Sequence, residues 1–296
     1  IPIRIMVIGD SGVVVGAVET AVRGANDIRI ATTAQNVTQA VIRLKSEAID
    51  VAVLDIGMPN LSLERALRRL RDTASAVNVI LSASLTFRNV KNSMAALLAG
   101  AATFIPVPGK HHKENDPATF RRDLLDAIRG LAGNKRASRP GARPAPIAQP
   151  IALSLRTHPP TRPDVIAIGS STGGPQALIA LLRDLPRGIK TPILITQHLP
   201  ATFTAIFAQN IAKAAGRACA EGQDGEEIRS GQIYVAPGGF HMLVEKKGSA
   251  NVIRITSDPP ENFCRPAVDP MFRAVAKVYG RNVLAVILTG MGRDGA

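Results

Sequence analysis

The most constraining stretch of this chain is Asp164 to Leu182, DVIAIGSSTGGPQALIALL, where an apolar run meets a serine-bearing glycine turn and then a helical pattern. Val165 to Ile168 read as a buried strand. Pro175 suits the first position of a helix, and Leu178, Ile179, Leu181 and Leu182 recur at the spacing of one apolar helical face. The intervening turn, Gly169 to Gly174, fits G-x-S-x-G with Ser171 at its centre, in the strand–turn–helix context that a nucleophilic serine requires. Its glycines let the backbone turn sharply, and the helix N-terminus offers unpaired N–H groups to an anion. The same turn would serve to bind a phosphate or to pack a strand on a helix. A base and an acid are needed to decide.

Both candidates follow apolar strands. Thr191 to Gln197 is a near-continuous apolar run ending at His198, and Val283 to Leu288 runs into TGMGRDG, which carries Asp294. Between them the pattern predicts a helix over 201–215, short strands over 231–236 and 242–245, a hairpin partner over 251–256 and a helix over 270–279. In a parallel sheet the carboxyl edge would bring Ser171, His198 and Asp294 together as nucleophile, base and acid. His241, in GGFHM, competes for the role of base. The chain order Ser, His, Asp departs from the Ser, acid, His order of α/β-hydrolases.

The first part of the chain alternates in the same way. Strands are expected over 3–8, 28–31, 51–54, 79–81 and 103–107, with helices between them and a last helix over 120–131. Asp10, Asp55 and Ser82 follow the first, third and fourth of these strands, at the edge where such sheets bind ligands. Asn134 to Pro163 is rich in Pro, Ala and Arg and holds no acid, which suits a semi-rigid linker. The expected architecture is α/β, with two doubly wound parallel-sheet domains. The first spans 1–131, the linker 132–163 and the serine-bearing domain 164–296.

At 296 residues the chain is long enough for two cores, and with 46% apolar residues, no Trp and only 3% aromatics these must be built from aliphatic side chains. A formal charge of +13 raises the question of nucleic acid, yet the basic residues are dispersed and no recognition motif accompanies them. A solvated basic surface or an acidic protein partner is the expectation. The two cysteines, Cys219 and Cys264, stand far apart without metal-ligand spacing and read as reduced thiols. No targeting segment and no apolar run of membrane-spanning length is visible, so a cytoplasmic protein is expected.

MVIGD and VAVLDIGMPN resemble the receiver domain of two-component regulators over about residues 1–131, which implies a flavodoxin-like fold. The resemblance implies that Asp55 accepts a phosphoryl group, that Asp10 and Asp55 bind Mg²⁺, that Ser82 senses the phosphate and that a sensor histidine kinase is a partner. Gly9 stands where the family carries another acid, Val107 where it carries a lysine, and Lys110 lies three residues beyond. A degenerate receiver serving as a cover or docking module is the alternative.

GSSTGG, TQHLP, YVAPGGFHM, RPAVDPMF and ILTGMGRDG, in this order behind a receiver, resemble the protein-glutamate methylesterases of bacterial chemotaxis. The resemblance implies a Rossmann-like catalytic domain that hydrolyses glutamate methyl esters on chemoreceptor cytoplasmic regions and deamidates receptor glutamines, with no cofactor for the esterase. It assigns Ser171 as nucleophile, His198 as base and Asp294 as acid, places Thr172 and the Met291 backbone by the oxyanion or the triad, and gives Arg265 a part in substrate binding. The family continues past GMGRDG, so the catalytic domain is expected to be incomplete at its C-terminus and Asp294 to be mobile. A catalytically weak signalling scaffold is the competing reading. A DNA-binding regulator would need a helix-turn-helix, and the pattern shows none.

Overall fold

The structure, a computed structural model, describes residues 2–10, 12–75, 77–109, 116–137, 162–186 and 188–295. Five strands form the first sheet: β1 (Ile3–Ile8), β2 (Ile28–Ala34), β3 (Val51–Asp55), β4 (Asn78–Ala83) and β5 (Thr103–Pro106). They are parallel, in the order β2-β1-β3-β4-β5, the doubly wound arrangement of flavodoxin-like domains. The helices α1 (Gly12–Val22) and α5 (Pro117–Ala137) cover one face. The other is covered by α2 (Val37–Ser46), α3 (Leu63–Thr73) and α4 (Phe87–Leu98). Because both faces are covered, β3 is buried throughout and reads as a continuous run instead of an alternating one.

The expected start of the linker at residue 132 is corrected. α5 continues to Ala137, because its i, i+3/i+4 pattern of Leu124, Leu125, Ile128, Leu131 and Ala132 carries the helix over the sheet past that point. The rest of the proline- and arginine-rich stretch, 138–161, lies outside the described residues, as does Lys110.

The second sheet comprises β6 (Val165–Ser170), β7 (Ile193–Gln197), β8 (Cys219–Glu221), β9 (Ile233–Val235) and β12 (Val283–Ile287), all parallel in the order β12-β6-β7-β9-β8. The helices α6 (Gly174–Asp184), α7 (Ala201–Ala215) and α8 (Val268–Tyr279) pack on it. The strands β10 (His241–Lys247) and β11 (Ala250–Thr256) form a separate antiparallel hairpin, as the pattern predicts. Only β8 escapes the sequence reading, since three residues with a charged Glu221 carry no periodicity.

β6 runs two residues beyond the apolar stretch, with Gly169 opposite Thr196 and Ser170 opposite Gln197. Gly169 is obligatory there: a Cβ would lie 2.5 Å from Val268 Cγ1 and 2.9 Å from Ile287 Cδ1. The turn proper therefore begins at Ser171.

The two sheet domains touch at the serine turn. Gly173 N–H donates to the Ala102 carbonyl at 3.0 Å, and Gln176 Nε2 donates to Ala101 O at 2.8 Å and also to Leu97 O. The rings of Phe104 and Phe203 stand 5.0 Å apart, and the Arg122 guanidinium lies 4.9 Å from the Phe263 ring centroid. Among the described residues no helix is long and apolar enough to cross a membrane.

Candidate active site

The two serines of the turn have different fates. Ser170 is buried, and its hydroxyl donates to Gln197 Oε1 at 2.7 Å. Ser171 is half-exposed, and among the described residues its hydroxyl has no hydrogen-bond partner. Its backbone is held instead: Ser171 N–H donates to Thr289 O at 2.9 Å, and its carbonyl accepts from Gly174 N at 2.8 Å and from Gln197 Nε2 at 2.9 Å. Gly290 lets the β12 edge come this close, since a Cβ there would sit 2.8 Å from Ser171 Cβ. Gly173 takes φ +75°, which glycine adopts without penalty, and starts α6 directly behind the serine.

His198 is the first residue past β7, and its N–H donates to Ser170 O at 3.1 Å, so His198 and Ser171 leave adjacent strands in register. Its Nε2 lies 2.7 Å from Asp294 Oδ2, and its Nδ1 lies 3.5 Å from Cys264 Sγ. Burial disfavours the charged imidazole, but the hydrogen bonds and charges of Asp294 and Cys264 outweigh it and push the pKa up from 6.5 to about 9.

The expected mobility of Asp294 is corrected. Its side chain is 3% exposed, and besides His198 it accepts from Val268 N at 2.6 Å, Asp269 N at 2.9 Å and Asn262 Nδ2 at 3.3 Å. Asp269 in turn accepts from Gly295 N at 2.9 Å. The first N–H groups of α8 have no intrahelical partner, and a carboxylate there is favoured by both hydrogen bonding and the helix dipole. These bonds tie the turn to the first residues of α8. Burial works to raise the Asp294 carboxyl, yet the bonds from His198 and the α8 amides hold it below the usual carboxylate value.

The competitor His241 is buried elsewhere, with Nε2 3.1 Å from Pro259 O and Nδ1 accepting from Ala267 N at 3.2 Å. It braces the segment leading into α8. Arg265 Nη1 donates to the carbonyls of Ser257 and Asp258 at 3.0 and 3.2 Å, and so ties together the loop after β11. The Thr172 carbonyl accepts from Thr289 Oγ1 at 3.1 Å, and the Met291 side chain packs against the core beneath α5. Cys264 and Asn262, which flank the histidine–aspartate pair, were not singled out for the site by the sequence. Their only signal is a position just before RPAVDP.

At the receiver edge, Asp55 is buried and its Oδ1 accepts from Gly57 N at 2.7 Å. Asp10 is exposed, and the Ser82 hydroxyl donates to Ile105 O at 2.8 Å. A Cβ on Gly9 would lie 3.0 Å from Asp55 Cβ, so the backbone here runs close against the carboxylate and contributes no acid of its own. Among the described residues no three His, Cys, Asp or Glu side chains cluster as a metal site. Asp10 and Asp55 are the two carboxylates at this edge, a number that Mg²⁺ commonly takes from a protein alongside waters and phosphate oxygens.

A serine turn after the central β6, an imidazole–carboxylate pair contributed from beyond the strands on either side of it, and a receiver-like domain packed against them define a serine-type hydrolase with an attached signalling domain. Residues 166–296 match the CheB methylesterase family and residues 5–113 the response regulator receiver domain family. The protein-glutamate methylesterase/protein-glutamine glutaminase 1 of Paramagnetospirillum magneticum is 44% identical over 99% of this chain and 82% of its own length. That of Azospirillum brasilense is also 44% identical, over 99% and 79%. The chain belongs to the protein-glutamate methylesterase/protein-glutamine glutaminase family. Among solved structures, the Thermotoga maritima CheB methylesterase catalytic domain is 36% identical, covering 46% of this chain and 71% of that one with a TM-score of 0.44.

Proposed function

We propose that this protein hydrolyses methyl esters of glutamate side chains on chemoreceptor cytoplasmic regions and deamidates receptor glutamines. Ser171 is the nucleophile, His198 the base and Asp294 the acid that orients it. The observation that carries this reading is the 2.7 Å contact between His198 and Asp294 at the strand end next to Ser171. With Nε2 committed to Asp294, Nδ1 is the nitrogen left to take the Ser171 proton as the hydroxyl attacks the ester carbonyl. The oxyanion then forms beside the N-terminus of α6, where the Thr172 and Met291 backbone amides are the proposed donors. Methanol leaves with the proton from His198, and water activated by the same imidazole releases the glutamate carboxylate. The relatives' names favour this enzyme over a scaffold without activity.

The receiver-like domain regulates the site through direct contact. Its Ala102 carbonyl holds Gly173, two residues from the nucleophile, and its α5 face meets Met291. A sensor histidine kinase is the partner class that a receiver implies, and Asp55 is the acceptor position. Methanol release from methylated receptor membranes tests the whole reading: it should occur with the wild-type chain and vanish in Ser171→Ala.

A further inference from the structure

We propose that Cys264 is a nucleophilic thiol activated by the His198–Asp294 pair, a covalent modification site at which a peroxide or a soft alkylating electrophile switches the esterase off. Cys264 Sγ lies 3.5 Å from His198 Nδ1, and the opposite nitrogen of the same ring lies 2.7 Å from Asp294. Thiol, imidazole and carboxylate thus stand in line, the arrangement in which an imidazole accepts the thiol proton as the sulfur attacks an electrophile. The position is held firmly, since Cys264 N–H donates to Glu261 O at 2.8 Å and Glu261 N–H donates back to Cys264 O at 3.2 Å. It is also reachable: Cys264 is half-buried and its neighbour Phe263 is 76% exposed.

With hydrogen peroxide the sulfur attacks one oxygen, an S–O bond forms and the O–O bond breaks; sulfur is oxidised by two electrons to the sulfenic acid. The departing hydroxide takes the proton from His198 and leaves as water. With a haloacetamide the C–S bond forms, halide leaves and the proton stays on the imidazole. In either case the group added to sulfur fills the space beside the His198 Nδ1 that Ser171 needs, so modification and hydrolysis exclude each other. Cys219 is an internal control, because burial in apolar surroundings pushes its thiol up to about 12.

The test is exposure of the full chain to hydrogen peroxide and, separately, to iodoacetamide, followed by peptide mass measurement and an esterase assay. Cys264 should be modified first and Cys219 spared, with activity falling in step. Dithiothreitol should restore activity after peroxide and fail to do so after iodoacetamide. Alkylation of Cys264 should slow by about tenfold or more in His198→Gln, and also in Asp294→Asn, which keeps the ring in place. The mass readout does not depend on Ser171, so it decides the thiol's activation even if the esterase reading fails. Equal labelling of Cys219, an unchanged rate at Cys264 in both variants, or full activity after complete Cys264 modification would each overturn the proposal.

Discussion

The Met291 side chain occupies the notch left by Gly130 in α5, where a Cβ on the glycine would overlap Met291 Sδ. A residue three positions before Asp294 thus keys into a helix of the receiver domain. Gly130→Ala should destabilise the chain despite removing a helical glycine, a change that in open helix gains about 1 kcal/mol. In a Met291→Ala background the same substitution should become stabilising. A double-mutant cycle of thermal unfolding checks this, and an unchanged sign would show that the notch is not occupied in solution.

Ser171→Ala should abolish hydrolysis with little change in stability, because the hydroxyl has no partner among the described residues. Ser170→Ala should do the reverse, costing about 1 kcal/mol through the lost bond to Gln197 while retaining most of the activity. Unfolding midpoints and methanol release on both variants separate the two roles.

The pH profile follows from His198. The neutral ring is the base, and its pKa is raised to about 9, so kcat/KM should climb with pH along a limb centred near 9. Asp294→Asn should move that limb to lower pH and depress the plateau by orders of magnitude, about 10⁴ for amidation of the equivalent acid in a serine protease. The sign for stability is opposite to that for activity. A folded value above the unfolded 6.5 gives stability that is fully present below about 6.5 and lost as pH rises through about 9.

His241→Ala should lower stability by about 1–3 kcal/mol, because the buried Ala267 amide loses its partner. His198→Ala should remove hydrolysis while the α8 amides still hold Asp294. Activity per folded molecule ranks the two histidines.

Mg²⁺-dependent labelling at Asp55 by acetyl phosphate should be weak, since Gly9 and Val107 stand where receiver domains carry an acid and a lysine. Stoichiometric labelling lost in Asp55→Asn would show that other groups complete it.

The strands and helices were legible because buried parallel strands read as apolar runs and amphipathic helices by period. The three candidate site residues carry the same signal more loosely: Ser171 and His198 follow such runs closely, whereas Asp294 stands within the glycine-rich turn after Leu288. Asp294's rigidity was not legible, because its anchors, the Val268 and Asp269 amides, lie far upstream in sequence and exist only once α8 has formed. Cys264 and Asn262 were missed because they reach the site through an irregular turn, with Asn262 at φ 50° and Phe263 at φ 63°, that has no periodic signature.

Gln197 accepts from Ser170, donates to the carbonyls of Ser171 and His198, and sits so close to Gly174 that no side chain fits between them. One amide thereby rivets the end of β6 to the end of β7. The backbone spacing between Ser171 and His198 is then a dimension of the sheet, as stiff as the sheet itself.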